Sequence, residues 1–304
     1  MIEVSELSKV FHHKVALDDV TFTIPSGSVF GLIGPNGSGK TTLIRTMNQI
    51  LKPSKGTIKY RGVSLNAGHV RTFGYLPEER GLYREMQVLE HLIFLGQIRG
   101  LTKNEAKNAA NLWLEKFGAL PWSNRKISAL SKGMAQKIQF IGSVLHHPEV
   151  IILDEPLSGF DPINVDLLLE EIKEFKVQGK TVIFSTHNMN SVDELCDEAA
   201  LIDQGKLVAN DRVSKLRSNH KTGNFKVRFR GSKIAFAHAL WTWFELIECL
   251  ELSEGIYEAI IKSRGMYQCN EVFSRLSDAV QLELIEEQLP SMHDVFLKLV
   301  ANEK

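Results

Sequence analysis

The sequence predicts an α/β core interrupted by a block of helices and followed by a smaller α+β unit, and three observations predict it. "VFGLI" (29 to 33), "VIILD" (150 to 154) and "TVIFST" (181 to 186) are short continuous apolar runs, the pattern of strands buried on both faces. The last two are separated by a helical stretch, "NVDLLLEEIKEFKVQG", and strand, helix, strand at that spacing implies parallel pairing. Between the first two runs, from about Met86 to Val144, "VLEHLIFLGQIRG" and "KNEAKNAANLWLEKFG" place apolar residues at i, i+3, i+4, which predicts an inserted helical subdomain.

The remaining elements follow in chain order. "IEVSEL" and "VTFTI" alternate apolar and polar residues, as half-exposed antiparallel strands do. "VFGLI" runs into glycine-rich sequence and a helix beginning near Thr41. The second helix of the inserted block ends at Gly118, a residue suited to a helix C-terminus. "MAQKIQFIGSVL" is amphipathic, its apolar face running through Ala135, Ile138, Ile141 and Leu145. "AALIDQGKLVAN" reads as a hairpin turning at Gln204-Gly205 and closing a first domain of residues 1–216. "RSNHKTGN" (217 to 224) has the polar, turn-rich composition of a linker. Residues 217–304 then read as strand "FKVRFR", helix "AFAHALWTWF", strands "IECLELS" and "YEAIIKS", helix "NEVFSRLSDA", strand "VQLELIEE" and helix "SMHDVFLKLV". That βαββαβ order suggests a split-βαβ sandwich with a trailing helix.

Composition excludes several classes. With 304 residues, 43% hydrophobic and 24% charged, the chain can bury a sizeable core. Lysine plus arginine equals aspartate plus glutamate at 36 each, so no global pull toward nucleic acid exists and no nucleic-acid partner is expected. Cys196, Cys249 and Cys269 form no CxxC pair and read as reduced thiols. "MIEVSELSKVF" lacks the basic-then-apolar order of a secretory signal, and the most hydrophobic region, "ALWTWFELIECLEL", is broken by Glu245, Glu248 and Glu251. A cytoplasmic protein is expected, with any membrane role arising through a partner. The pairs His12-His13 and His146-His147 hold adjacent side chains that point apart, with no cysteine or carboxylate cluster to complete a metal shell.

Two motifs carry chemistry. "GPNGSGKT", Gly34-Pro35-Asn36-Gly37-Ser38-Gly39-Lys40-Thr41, followed by Thr42, lies after a buried strand and at the start of a helix. Its glycines let backbone N–H groups wrap phosphates, Lys40 adds a point charge, and Thr41 offers a hydroxyl to Mg²⁺. "VIILDEP" ends a buried strand with Asp154 and Glu155, and ligands of such sheets sit beyond the strands' carboxyl ends. Asp154 is therefore suited to Mg²⁺, and Glu155 to orienting and polarising an attacking water.

Taken in order, "GPNGSGKT", "ALSKGMAQK", "VIILDEP", "SGFDP" and "STH" resemble the motifs of the nucleotide-binding domain of ABC transporters over about residues 1 to 215. The resemblance implies a P-loop NTPase fold of ABC type, a mixed β core with an inserted helical subdomain (about 86–144), followed by a small α+β domain. It implies ATP and Mg²⁺ as ligands and a separate membrane permease as partner. It also implies a homodimer or a heterodimer with another ABC ATPase subunit, peripheral on the inner face of the membrane. In that family Ser131 and Gly133 would cap the nucleotide held by a second copy, Phe11 would stack on adenine, Asp161 would communicate between sites, and His187 would contact the γ-phosphate. Glu78, in "FGYLPEERGLY", departs from the family's usual glutamine near the metal and the attacking water, and is counted with the catalytic and metal residues. Lys132 and Met134 depart from the usual Leu-Ser-Gly-Gly-Gln. "YLPEERGLY" resembles a bacterial sodium-efflux-type subgroup whose chains carry a small C-terminal domain. The expected function is the ATP-hydrolysing subunit of a bacterial transporter, with a lean to export. A non-transport ABC ATPase acting as a regulatory nucleotide switch is the alternative.

Overall fold

Three strands buried on both faces organise the first unit, because their alternating side chains need apolar cover above and below. The computed structural model describes residues 1–79, 81–158, 162–265 and 268–301. The chain divides into two compact units, Met1–Val213 with the stretch from Leu299, and Ser214–Lys298.

The first unit opens with β1 (Ile2–Phe11) and β2 (Lys14–Ile24), an antiparallel pair with register shifts, followed by the buried β3 (Val29–Ile33). Helix α1 (Lys40–Met47) leads to β4 (Lys55–Tyr60), the short β5 (Val63–Ser64), α2 (Ala67–Arg71) and β6 (Gly74–Leu76). The helical block is α3 (Val88–Ile98), α4 (Lys103–Lys116) and α5 (Lys132–Val144). The chain then returns through β7 (Val150–Asp154), α6 (Pro162–Val177), β8 (Thr181–Thr186), α7 (Met189–Leu195), β9 (Glu198–Asp203) and β10 (Lys206–Arg212).

These strands make a six-stranded sheet in the order β10-β9-β3-β8-β7-β6, and a four-stranded sheet in the order β2-β1-β4-β5. Pairings β3–β8, β3–β9, β7–β8 and β6–β7 are all parallel. Alternation explains the unbroken apolar runs. Phe30, Leu32, Ile152 and Ile183 enter one core with β1, β2 and α1, while Ile151, Leu153, Val182 and Phe184 enter the other with α3 to α6. Trp113, Phe140 and Phe175 close the second core, with ring centroids about 6 Å apart. Gly118 ends α4 in the left-handed conformation, as its sequence position implies.

The second unit begins within α8 (Val213–Asn219) and continues through β11 (Asn224–Arg230), α9 (Lys233–Leu240), β12 (Phe244–Ser253), β13 (Ile256–Ser263), α10 (Cys269–Leu276), β14 (Gln281–Gln288) and α11 (Met292–Ala301). Its sheet runs β12-β13-β11-β14, so β13 lies between the two strands joined by α9, a split βαβ. Phe225, Val227 and Phe229 pack with Phe236, Leu240, Val272 and Leu276 on one face. On the other, Lys226 and Arg228 reach Glu258 of β13 at 2.9 and 2.8 Å.

Two boundaries differ from the sequence reading. The polar stretch expected as a linker from 217 is helical through Asn219, because Val213 and Leu216, three residues apart, are both buried at the start of that helix. Helix α9 stops at Leu240, short of "WTWF", and buried Phe244 starts a strand. Trp241–Trp243 form a turn, which brings Phe244 into the core at the start of the strand.

Two histidines of the first unit are held neutral by burial. His91 is fully buried in α3 with neither ring nitrogen hydrogen-bonded among the described residues, and burial pushes it down to about 4. His146 is likewise pushed down to about 4, first by burial and then by the Arg99 charge, although Phe73 O lies 3.2 Å from its Nε2. A depressed histidine pKa means that the unfolded chain binds the proton more readily between about pH 6.5 and 4, so stability falls as pH falls through that window. His91→Leu should therefore flatten the acid limb of urea stability measured from pH 7 to 4, by roughly 3 kcal/mol at the acid end.

Candidate functional site

The phosphate loop takes its shape from positions where no side chain fits. Gly34 has φ +154°, and a Cβ there would lie 2.1 Å from the Ile202 carbonyl oxygen of β9. The turn at Gln204-Gly205 supports the loop from below. Gly205 N–H donates to Ser38 O at 2.8 Å, and Gly205 accepts from Asp18 N–H at 2.8 Å. Gly39 caps α1 without a side-chain hydrogen bond, leaving the first-turn amides of the helix beside the cleft.

A cleft of about 980 Å³ opens above this loop. Phe11, Asn36, Gly37, Gly39, Lys40, Thr41, Thr42, Glu78, Glu155 and His187 all line it, so residues spread from β1 to β8 meet in one place. Gly34 and Ser38 form the buried underside, and Pro35 contributes its carbonyl oxygen. Phe11 is 39% exposed at the cleft rim, with Lys9 Nζ over its ring 5.0 Å from the centre. Glu78 is exposed on the loop after β6.

Charge is concentrated at the strand ends. Lys40 is buried and donates to Gly34 O at 2.7 Å and Pro35 O at 3.1 Å, while its Nζ stands 3.8 Å from Glu155 Oε1. Burial lowers the Lys40 pKa, and the carboxylates of Glu155, Asp154 and Glu78 pull it back. Asp154, at the end of β7, accepts from Ser185 Oγ at 2.6 Å and lies 3.4 Å from the Thr41 hydroxyl. Glu155 sits in the left-handed region at φ +48°, a costly conformation for glutamate. Its N–H donates to Ser185 Oγ at 2.9 Å, and its Oε2 lies 3.0 Å from His187 Nδ1. The left-handed residue turns the chain out of the sheet and sets the Glu155 carboxylate over the loop.

The donor set fits a divalent cation. Asp154 Oδ2 and Glu155 Oε1 are buried with no hydrogen-bond partner among the described residues, and the Thr41 hydroxyl is adjacent. No cluster of three His, Cys, Asp or Glu side chains able to hold a metal exists among the described residues. A hard cation here would draw its other ligands from phosphate oxygens and water, as Mg²⁺ does.

Two predicted residues stand apart from the cleft. Ser131 caps α5, its hydroxyl accepting from Met134 N–H at 3.3 Å, and Gly133 has open space where a Cβ would be; neither lines the cleft of its own chain. Asp161 lies outside the described residues. Sequence reasoning missed Ser185, which binds both Asp154 and Glu155; its signal was its place one residue before the end of "TVIFST". It also missed Gln139, which donates to Pro77 O at 3.0 Å and Glu79 O at 3.1 Å, and the Gly205 support, which no local pattern announces.

The family model described as "ABC transporter" matches residues 17–158. The chain is 35% identical over 300 residues to the uncharacterized ABC transporter ATP-binding protein YhaQ of Bacillus subtilis, covering 99% of this chain and 98% of that protein. It is 34% identical over 212 residues to the linearmycin resistance ATP-binding protein LnrL of the same species, covering 69% of this chain and 68% of that one. A solved structure described as an ATP-binding subunit of an ABC transporter superposes with a TM-score of 0.67 at 31% identity, covering 72% of this chain and 92% of that one.

Ser185 should matter to stability, since it is fully buried and supports both carboxylate residues. Ser185→Ala leaves the Glu155 N–H without its partner and Asp154 Oδ1 with only the long Thr41 contact, and should cost about 2–3 kcal/mol in urea unfolding. Ser185→Thr, which keeps the hydroxyl, should recover part of the loss.

Proposed function

This chain belongs to the ATP-binding proteins of ABC transporters, and from that premise we propose how its residues divide the work of ATP hydrolysis and what the chain assembles with. Lys40 and the first-turn amides of α1 receive the β and γ phosphates of ATP. Thr41, Asp154 and Glu78 would hold Mg²⁺. When bound there, the ion would supply positive charge against the phosphate oxygens. Glu155 accepts a proton from the attacking water, and His187, hydrogen-bonded to Glu155, steadies the carboxylate and reaches toward the γ-phosphate. Phe11 offers its face to adenine.

The observation that carries this reading is Glu155. A strained backbone, a backbone N–H held by the Ser185 hydroxyl, and a carboxylate flanked by His187 and the Lys40 charge all meet in one residue at a strand end. Such strain persists only where surrounding structure imposes it, and it concentrates at functional positions.

Ser131 and Gly133 lie outside their own chain's cleft, which supports their use in trans. Two copies would close around two nucleotides, each site pairing one chain's Lys40 loop with the other's Ser131. Closure drives a separate membrane permease through differential binding of ATP to open and closed states. Among the described residues no helix is long and apolar enough to cross a membrane. The permease would dock where Tyr83, Phe94 and Ile98 leave apolar side chains exposed on the helical block, in the segment following Glu78. Export is the favoured direction, because LnrL is named for resistance and "YLPEERGLY" resembles efflux-type chains.

Glu155→Gln should lower Mg-dependent ATP hydrolysis by about 10²–10⁴-fold while ATP remains bound in a dimer seen by size-exclusion chromatography. Lys40→Ala should lose ATP binding. A monomeric Glu155→Gln with ordinary turnover would refute the scheme. The trans assignment has its own check, with Glu155→Gln on both chains of a mixed dimer. Pairing a Lys40→Ala chain with a Ser131→Arg chain leaves one intact site only if Ser131 acts across the interface. ATP should be trapped on mixing and by neither parent alone.

A further inference from the structure

Side chains along one helix reach three parts of the proposed chemistry. At its start, the Ser131 hydroxyl caps α5. One turn on, Gln136 Nε2 donates to Ser158 O, three residues beyond Glu155. Gln139 Nε2 then donates to Pro77 O and Glu79 O, at 3.0 and 3.1 Å, the two carbonyl groups that flank Glu78.

Gln136 and Gln139 are three residues apart and so share a face of the helix. Gln139 is only 9% exposed, and a buried amide nitrogen has two N–H groups to satisfy. Both bonds go to the Glu78 loop. A cavity of about 160 Å³ lies between this face and the strand ends, with Lys132 on the helix side and Glu78, Asp154 and Glu155 lining it too. Lys132 is the cation that α5 contributes to a cavity bearing three carboxylates. Behind this face, Ala135, Ile138, Ile141 and Leu145 are buried in the core, so α5 cannot turn about its own axis without breaking that packing.

We propose that α5 is a strut between two nucleotide sites, with Gln139 and Gln136 as its positioning residues. They hold Glu78 and the segment after Glu155 over the chain's own nucleotide, while Ser131, about 12 Å along the axis from Gln139, serves the nucleotide of the second copy. Occupancy beneath Ser131 then shifts Glu78 at the other site, because one rigid element carries both. The proposal rests on the trans reading of Ser131 for its cross-site half only. The anchoring of the Glu78 loop by Gln139 stands apart from that reading. It also gives Glu78 and Lys132, both departures from the usual motifs, a common place in the fold.

The test uses the full chain and Gln139→Leu, which keeps volume but removes both donors. Amide hydrogen exchange at Glu78 and Glu79, measured by mass spectrometry, should accelerate about tenfold, and kcat should fall by a similar factor with KM for ATP within about twofold. Dimer trapping in the Glu155→Gln background should persist, and the Hill coefficient of ATP hydrolysis should fall toward about 1. Unchanged loop exchange, or an unchanged kcat, overturns the anchoring. Where the mixed-dimer experiment succeeds, an unchanged Hill coefficient overturns the strut; where that experiment fails, the trans reading falls and the cross-site half of the proposal with it. If Gln139→Leu does not fold, Gln136→Leu reads the same way: faster exchange around Ser158 with lowered kcat supports the proposal, and exchange equal to the parent refutes it.

Discussion

The parallel pairing of β7 on β8, with Asp154 opposite Ser185, is the constraint on which the cleft depends. It places a hydroxyl between the last carboxylate of one strand and the first residue beyond it, and Ser185 binds both Asp154 and Glu155. Since β3 pairs with β8 in the same direction, Ile33 lies opposite Thr186, and the phosphate loop emerges at the level of His187. A register slip of one residue would turn every one of these side chains to the wrong face. The apolar cores on both sides of the sheet oppose that slip, because it would exchange Phe30, Ile152 and Ile183 with their neighbours.

Given that register, the site is a balance of buried charge. Lys40 has lost water and is offset by carboxylates, and Asp154 and Glu155 each leave a buried oxygen without a hydrogen bond among the described residues. Burial of unmatched polar atoms is unfavourable on its own. Such an arrangement suits a phosphorylated ligand and a hard cation, which together would satisfy the ammonium and the carboxylates. Backbone strain at Glu155 belongs to the same pattern, local cost held in place by two packed cores.

The helical block contributes support rather than a wall of the cleft. Its helix α5 is buried along most of its length and touches the site through two glutamines, at the loops following β6 and β7. The second unit has a separate core of Phe225, Phe229, Phe236 and their neighbours. In the sequence, every nucleotide motif precedes residue 215.

Sequence alone determined the elements whose signal is local. The buried runs of β3, β7 and β8, the glycine-rich loop before α1, the Asp154-Glu155 pair and the βαββαβ order of the second unit all follow from periodicity, chain punctuation and motif spacing, because each rests on neighbours within a few residues. The helical end at Asn219 and the early stop of α9 were missed, since burial of Val213, Leu216 and Phe244 outweighed the composition around them. Tertiary structure decided which distant residues meet. Ser185 reaches Asp154 across 31 positions of sequence, Gly205 supports a loop from the opposite end of the unit, and Gln139 holds carbonyl groups some sixty residues away. A hydroxyl or an amide carries no local mark of its partner; only the packing of strands and helices brings donor and acceptor within hydrogen-bonding distance.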